Sequence, residues 1–200
     1  MKVLKFQPQG YECNVFAVSG DGVNCILIDC GDGRVSDKVK AAGLTPRAVL
    51  LTHGHFDHIA GCAALQSAGA DIYCGEGEED FLFSQANRSV FGLEIPQFKV
   101  KKTFKDGEEI ELCGVKIKVI ATPGHTAGGV SYLIGDSLFT GDTLFYGSIG
   151  RSDFPTGNAE TLVNSVKKLY GLKGDYKVYC GHGEDTTLER ERRFNAFVRA

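Results

Sequence analysis

Thr52-His53-Gly54-His55-Phe56-Asp57-His58 crowds three imidazoles and a carboxylate into one short stretch. A lone histidine is usually a core or surface residue, but packing does not explain histidines interleaved with glycine and aspartate. On an extended backbone His53 and His55 project to the same side, and Gly54 removes bulk between them. Asp57 and His58 open an Ala- and Leu-rich stretch that reads as helical and can face back toward the same point. The other two of the five histidines have similar settings: His125 in Thr122-Pro123-Gly124-His125-Thr126, and His182 in Gly181-His182-Gly183. Asp142, in Thr140-Gly141-Asp142-Thr143, adds a second carboxylate. Imidazole and carboxylate together suit zinc, iron or manganese, and five imidazoles with two carboxylates exceed what one tetrahedral ion takes. A structural zinc site would be closed by four ligands and would favour cysteine pairs, yet the chain has no C-x-x-C. The motifs read as a two-metal site.

Each ligand motif follows a segment that reads as a strand. Ala48–Leu51 leads into the histidine cluster, Val115–Ala121 into His125, Leu138–Thr140 into Asp142, and Lys177–Cys180 into His182. Strand ends aligned on one edge would bring four distant segments together on a rigid support. Val3–Phe6, Cys13–Val18, Cys25–Asp29, Ile72–Cys74 and Val130–Ile134 also read as strands, and Glu109–Leu112 pairs with Val115–Ala121 across Cys113-Gly114. Helices are expected at Val35–Ala42, Ile59–Ala68 and Glu78–Asn87, with residues 88–100 a loop near the site. Asn158 caps a helix running to Tyr170, and Thr186-x-x-Glu189 resembles a capping box opening a last one. No linker or low-complexity segment divides residues 1–200, so a single domain is expected.

Composition narrows the function classes. A net charge of −3 with mixed signs leaves no basic stripe for nucleic acid, and no segment approaches membrane-spanning length. The N-terminus lacks the apolar run of a signal peptide, and the 7 cysteines are irregularly spaced. A cytoplasmic protein with reduced thiols is expected. Cys180 and Cys30 close apolar strands and read as core thiols rather than ligands.

With those motifs in order, the chain resembles the metallo-β-lactamase superfamily over nearly its whole length. Asp29 after a strand, the H-x-H-x-D-H cluster, Pro-Gly-His-Thr, Gly-Asp and the late Gly-His all appear in sequence. The resemblance implies an α/β fold, an αββα sandwich of two similar halves, with metals between the sheets at one edge. It implies one metal on His53, His55 and His125, a second on Asp57, His58 and His182, and Asp142 bridging them. Asp29 would either hold a ligand from behind or serve as a turn residue. Gly141-Asp142-Thr143-Leu144-Phe145, Gly150-Arg151-Ser152-Asp153-Phe154 and the stretch from His182 to Asn195 are similar to short glyoxalase II-like hydrolases. Full-length glyoxalase II carries a helical C-terminal domain that helps bind glutathione. This chain runs only 18 residues past His182, so the resemblance does not carry glutathione specificity with it. Persulfide dioxygenases with one iron share the fold and a similar Gly-Arg-(Ser/Thr)-Asp-Phe stretch. Diiron electron-transfer modules also share it, but work beside a flavin domain that this chain lacks.

The expected chemistry is metal-dependent hydrolysis of a small thioester, as in hydroxyacylglutathione hydrolase. Two divalent ions, zinc first, with iron or manganese accepted by the same ligands, would lower the pKa of bound water to roughly 7. Metal-bound hydroxide would attack the acyl carbon, with Asp57 and Asp142 as the catalytic carboxylates and no serine or cysteine nucleophile. Two such ions against Asp57, Asp142 and hydroxide leave about one positive charge, which favours an anionic substrate. Arg151 would pair with a substrate carboxylate or, alternatively, with Asp153 in its own loop, and Tyr146 would wall the pocket. Residues 147–157 read as a mobile rim, with Phe154 over the site.

Overall fold

Successive residues of the central strands turn into different apolar layers, and this alternation builds the molecule. The structure, a computed structural model, describes residues 1–7, 13–31 and 34–200. One sheet runs in the order β1 (Lys2–Phe6), β2 (Val15–Ser19), β3 (Asn24–Ile28), β4 (Thr45–Leu50), β5 (Asp71–Gly75), β6 (Val100–Phe104). It is antiparallel from β1 to β3 and parallel from β3 to β6. The other sheet runs β14 (Thr186–Thr187), β13 (Lys177–Cys180), β10 (Ser137–Gly141), β9 (Val130–Ile134), β8 (Val115–Ala121), β7 (Glu109–Leu112). Only its β10–β13 pair is parallel. A small hairpin, β11 (Leu144–Phe145) with β12 (Ser148–Ile149), follows β10.

Phe16, Val18, Ile26, Ile28 and Leu50 of the first sheet meet Ile117, Val119, Tyr132, Phe139 and Tyr179 of the second. Phe139 stacks on Tyr179 at 4.9 Å, and Phe16 meets both edge-on at 5.4 and 5.1 Å. Such aromatic pairs add about 0.5–1.5 kcal/mol each beyond their buried area, which welds the two sheets. The intervening residues Ala17, Cys25, Leu27, Val49 and Leu51 face outward onto helices α1 (Val35–Ala41), α2 (Phe56–Ile59) and α3 (Cys62–Ser67). Leu138, Val178 and Cys180 likewise face α6 (Ala159–Tyr170) and α7 (Leu188–Phe194). The expected αββα sandwich is the architecture observed. Among the described residues, no helix is long and apolar enough to cross a membrane.

Several boundaries differ from expectation, each for a local reason. The helix expected at Ile59–Ala68 is two helices, because the Gly61 amide donates to Cys30 O instead of continuing the ladder, at 2.8 Å. Asp57 and His58 therefore lie inside the one-turn α2. The helix expected at Glu78–Asn87 divides into α4 (Glu79–Leu82) and α5 (Gln85–Phe91), the second capped by Ser84, which accepts from Asn87 N at 3.1 Å. That second helix extends into the stretch read as a loop, whose end meets β6, an unanticipated edge strand. In the final helix Thr187, not Thr186, is the cap, accepting from Arg190 N at 3.2 Å, while Thr186 bonds the buried Glu191 at 2.7 Å. Asn158 caps α6 as expected, accepting from Thr161 N at 2.9 Å.

Candidate metal centre

Five loops leave the carboxyl ends of β3, β4, β8, β10 and β13 on one edge, carrying Asp29, His53 to His58, His125, Asp142 and His182. Carboxyl ends of strands are where open α/β sheets commonly place their sites. Among the bonds that cross between the sheets at this edge, the Tyr132 hydroxyl donates to Leu51 O at 2.7 Å and Val130 N to Thr52 O at 2.8 Å. Close approach demands glycine at Gly181, where a Cβ would overlap Asp142 Oδ1. At Gly141 the φ of 48° also calls for glycine, and a Cβ there would run into Thr52.

The structure brings all seven expected ligands together. Ligand atoms of His53, His55 and His125 lie within 4.8 Å of one another, as do those of Asp57, His58 and His182. His55 Nδ1 is 2.9 Å from His125 Nε2. In the other set His182 Nε2 is 3.2 Å from Asp57 Oδ2 and 3.3 Å from His58 Nε2. Asp142 reaches both sets: Oδ2 lies 3.5 Å from His125 Nε2 and 3.4 Å from His182 Nε2, and Oδ1 lies 3.4 Å from His58 Nε2. His53 Nε2 is buried with no hydrogen-bond partner, an orphaned polar atom facing this cluster. Buried nitrogens converging on carboxylate oxygen, with one lone pair unclaimed, fit the donor set of divalent ions.

Behind the ligands, hydrogen bonds decide which ring nitrogen points inward. Asp29, buried and held at φ 59°, accepts from Thr52 N at 2.7 Å, Thr52 Oγ1 at 2.8 Å and His58 Nδ1 at 2.8 Å. The Thr52 hydroxyl, its proton given to Asp29, accepts from His53 Nδ1 at 3.1 Å. His125 Nδ1 donates to the Arg151 carbonyl at 2.7 Å. In each case Nδ1 carries the proton, leaving Nε2 as the lone-pair face. Asp29 thus holds His58 from behind, beyond the turn role that its position also allows.

Burial and charge divide the imidazoles. Burial, reinforced by the neighbouring rings, pushes His53 well below the usual histidine range and His55 to about 3. Burial also opposes charge on His58 and His182, but nearby groups outweigh it. Asp142, Asp29 and Asp57 draw a proton onto His58, while Asp142 and Asp57 raise His182 to about 10. Asp142 and Asp57 are both lowered: burial opposes this, but His58 and His182 prevail. Without a cation, protons on His58 and His182 balance the carboxylates.

A cleft of about 450 Å³ opens over the cluster, walled by Phe145, Phe154 and Arg151. Phe154 meets the His55 ring edge-on at 5.5 Å. Arg151 lies over the Phe154 ring at 3.8 Å and forms a two-point pair with Asp153, both bonds at 2.7 Å. Tyr146 does not wall the cleft. Its neighbour Phe145 does, and Tyr146 is exposed beneath the Arg190 guanidinium at 3.6 Å. Cys180 and Cys30 are core thiols, as expected.

Four supporting residues escaped the sequence reading. Cys13, whose thiol burial pushes up to about 12, sits 3.5 Å from His58 Nδ1. Asn14 ties the His182 loop to β2, donating from its backbone N to Gly181 O at 2.7 Å and from Nδ2 to Cys180 O at 2.9 Å. Glu78, which burial raises to about 7, and Asn87 both bond the Gly54 peptide. None lies in a ligand motif, and no spacing signals them.

Known proteins agree with this geometry. The family model described as the metallo-beta-lactamase superfamily matches residues 9–182. The hydroxyacylglutathione hydrolase GloC of Haemophilus influenzae is 36% identical over 200 residues, covering 94% of this chain and 93% of its own. The crystal structure of the BLEG-1 B3 metallo-beta-lactamase superimposes with a TM-score of 0.93 at 30% identity, covering 100% of both chains. That of TTHA1623 in a di-iron-bound form gives 0.84 at 33% identity, covering 98% of this chain and 100% of its own.

Proposed function

Given that the chain belongs to the metallo-beta-lactamase superfamily, and is a metallo-hydrolase with glyoxalase II-like relatives, we propose that it cleaves a small thioester with two divalent ions. One observation carries the reading: the Asp142 carboxylate lies within 3.5 Å of imidazole nitrogens from both ligand sets. His53, His55 and His125 would hold one ion, Asp57, His58 and His182 the other, and Asp142 would bridge them. The chemistry of such a pair, when bound, is an acidified water as nucleophile and positive charge for the acyl oxygen.

The chain's own residues do the rest. Phe145 and Phe154 give the cleft apolar walls against which an acyl or thiol stem can lie and from which water is displaced. Arg151, at the rim, is the one arginine or lysine among the described residues lining this cleft, and is suited to a substrate carboxylate. Asp29, Thr52 and the Arg151 carbonyl keep three imidazoles in the tautomer that presents Nε2. Among the described residues lining the cleft there is no serine or cysteine, which supports direct hydrolysis over an acylated side chain. The hydroxyacylglutathione hydrolase GloC, 36% identical, makes hydroxyacylglutathione the first substrate to try. Zinc is the first metal to try, with iron or manganese as alternatives.

The test sets three assays side by side on one metal-loaded preparation: cleavage of a hydroxyacylglutathione thioester, oxygen uptake with a persulfide, and hydrolysis of a β-lactam. Thioester cleavage without oxygen uptake, with label from isotopic water entering the carboxylate product in a single turnover, is the expected result. Oxygen consumption without thioester cleavage would replace this reading with a mononuclear-iron dioxygenase, and β-lactam turnover alone with a lactamase. A stable acyl adduct on any side chain would also contradict it.

A further inference from the structure

The two loops carrying His53, His55 and His125 come from different sheets, yet one buried side chain touches both. Glu78, just past the end of β5, is fully buried and lies outside every ligand motif. Its Oε1 accepts from Gly54 N, the peptide between His53 and His55, at 2.6 Å. Its Oε2 accepts from Thr126 Oγ1, next to His125, and from Gly128 N, each at 2.9 Å. Three donors and no acceptor are bonded to it, so both carboxylate oxygens are committed to the loops and neither is left as a ligand. The same segment grips the other side of the Gly54 peptide. Asn87 Nδ2 donates to Gly54 O at 2.6 Å and is itself tied to Leu82 O at 2.9 Å. Gly54 permits this approach, because a Cβ there would meet Leu82 Cδ2 at 2.9 Å and Glu78 Oε1 at 3.0 Å.

From this geometry we infer that Glu78 is the positioning residue of the His53, His55 and His125 site. It sets the separation of the two loops across the sheets and thereby the affinity of that site for a divalent ion. The inference rests on the two-metal reading for its contrast between sites. The Asp57, His58 and His182 set is held by other groups, with Asp29 on His58 and Asn14 on the His182 loop. Among the described residues, Glu78 bonds Gly54, Thr126 and Gly128 and none of these groups. A glutamine at 78 keeps the shape but has only one acceptor oxygen, so its amide nitrogen must face a loop donor and one loop is released. Losing support behind a metal ligand typically weakens binding about tenfold to a hundredfold.

The experiment titrates metal-free wild type, Glu78→Gln and Asn14→Ala with cobalt(II) against a competing chelator, assigning each site by anomalous diffraction. Melting of the metal-free proteins is measured in parallel. Glu78→Gln is expected to weaken cobalt at His53, His55 and His125 about tenfold or more, with a smaller change at the other site. Asn14→Ala should show the reverse preference. Equal weakening at both sites, or a lower melting temperature with unchanged affinity, would overturn the inference while leaving two metals in place. A wild type with a single ion at His53, His55 and His125, still weakened by Glu78→Gln, would keep the inference and overturn the two-metal reading. Should Glu78→Gln fail to fold, Thr126→Val removes one of the three donors, and the same selective loss is required of it.

Discussion

The set of His53, His55 and His125 and the set of Asp57, His58 and His182 meet at Asp142, but as candidate cation sites they are built differently. The first is made of imidazoles alone, and burial keeps His53 and His55 neutral. Those two rings are therefore ready to donate lone pairs without losing protons. The second contains a carboxylate and is more open at His182, and its two imidazoles are charged in the protein alone. An ion entering there must displace protons, in exchange for stronger attraction to Asp57 and Asp142. The two sites should therefore respond separately to pH and to support, although one carboxylate joins them.

Asp142 offers the harshest way to break that comparison, because it is the group both sets share. Asp142→Asn keeps the shape and removes the charge, so turnover should fall by about a hundredfold or more and elemental analysis should find fewer than two ions per chain. Wild-type activity in this variant would remove Asp142 from the bridge. Asp29→Asn acts on one side only. Its amide cannot accept from Thr52 N, Thr52 Oγ1 and His58 Nδ1 together, so the Asp57, His58 and His182 site should lose about tenfold to a hundredfold in affinity. A stability loss of about 1–3 kcal/mol in the metal-free protein should accompany it, read by denaturant melts. An equal loss of affinity at both sites would erase the distinction.

The pH response sharpens the comparison further. Because His182 is raised to about 10 from a usual 6.5, its contribution to metal-free stability is complete below 6.5 and fades as pH climbs toward 10. Metal binding runs the other way, since the Asp57, His58 and His182 set gains affinity as its imidazoles lose protons. Calorimetric titrations in buffers of differing ionisation enthalpy should show proton release as this set fills, and less as the other set fills. Equal release in both steps would contradict the assignment. The smallest effect expected is at the rim. Arg151→Ala should raise KM severalfold for a carboxylate-bearing thioester and leave a neutral one nearly unchanged. If both substrates suffer alike and Asp153→Ala reproduces the defect, the Arg151–Asp153 pair is scaffold alone.

The sequence revealed most where chemistry and strand periodicity coincide. The seven candidate ligands, which the structure brings together, stood out because histidine, aspartate and glycine are rarely clustered after strands without a use. The layered sandwich was legible only through the family resemblance, although alternation in segments such as Val115–Ala121, whose burial alternates for most of its length, agrees with it. What was hidden depends on tertiary partners. Glu78, Asn87 and Asn14 act through bonds to loops 24, 33 and more than 160 positions away, and nothing in their own neighbourhoods announces those bonds. Phe145 and Tyr146 are adjacent aromatics, and only the parity of the two-residue strand β11 decides which one faces the cleft. Val-Lys-Lys-Thr-Phe at 100–104 lacks strand alternation because it is an edge strand with consecutive exposed lysines. Gly61 breaks a helix that its flanking alanines and leucine favour, through a bond to Cys30 that belongs to the fold rather than to the local sequence.

Two ions acting together on one thioester make activity depend on metal stoichiometry. Metal-free protein is given zinc in steps from none to two equivalents, and cleavage of a hydroxyacylglutathione thioester is followed at each step. The account predicts that turnover appears with the uptake of the second ion and levels off at two per chain. Full turnover at one equivalent, or none at two, would contradict it.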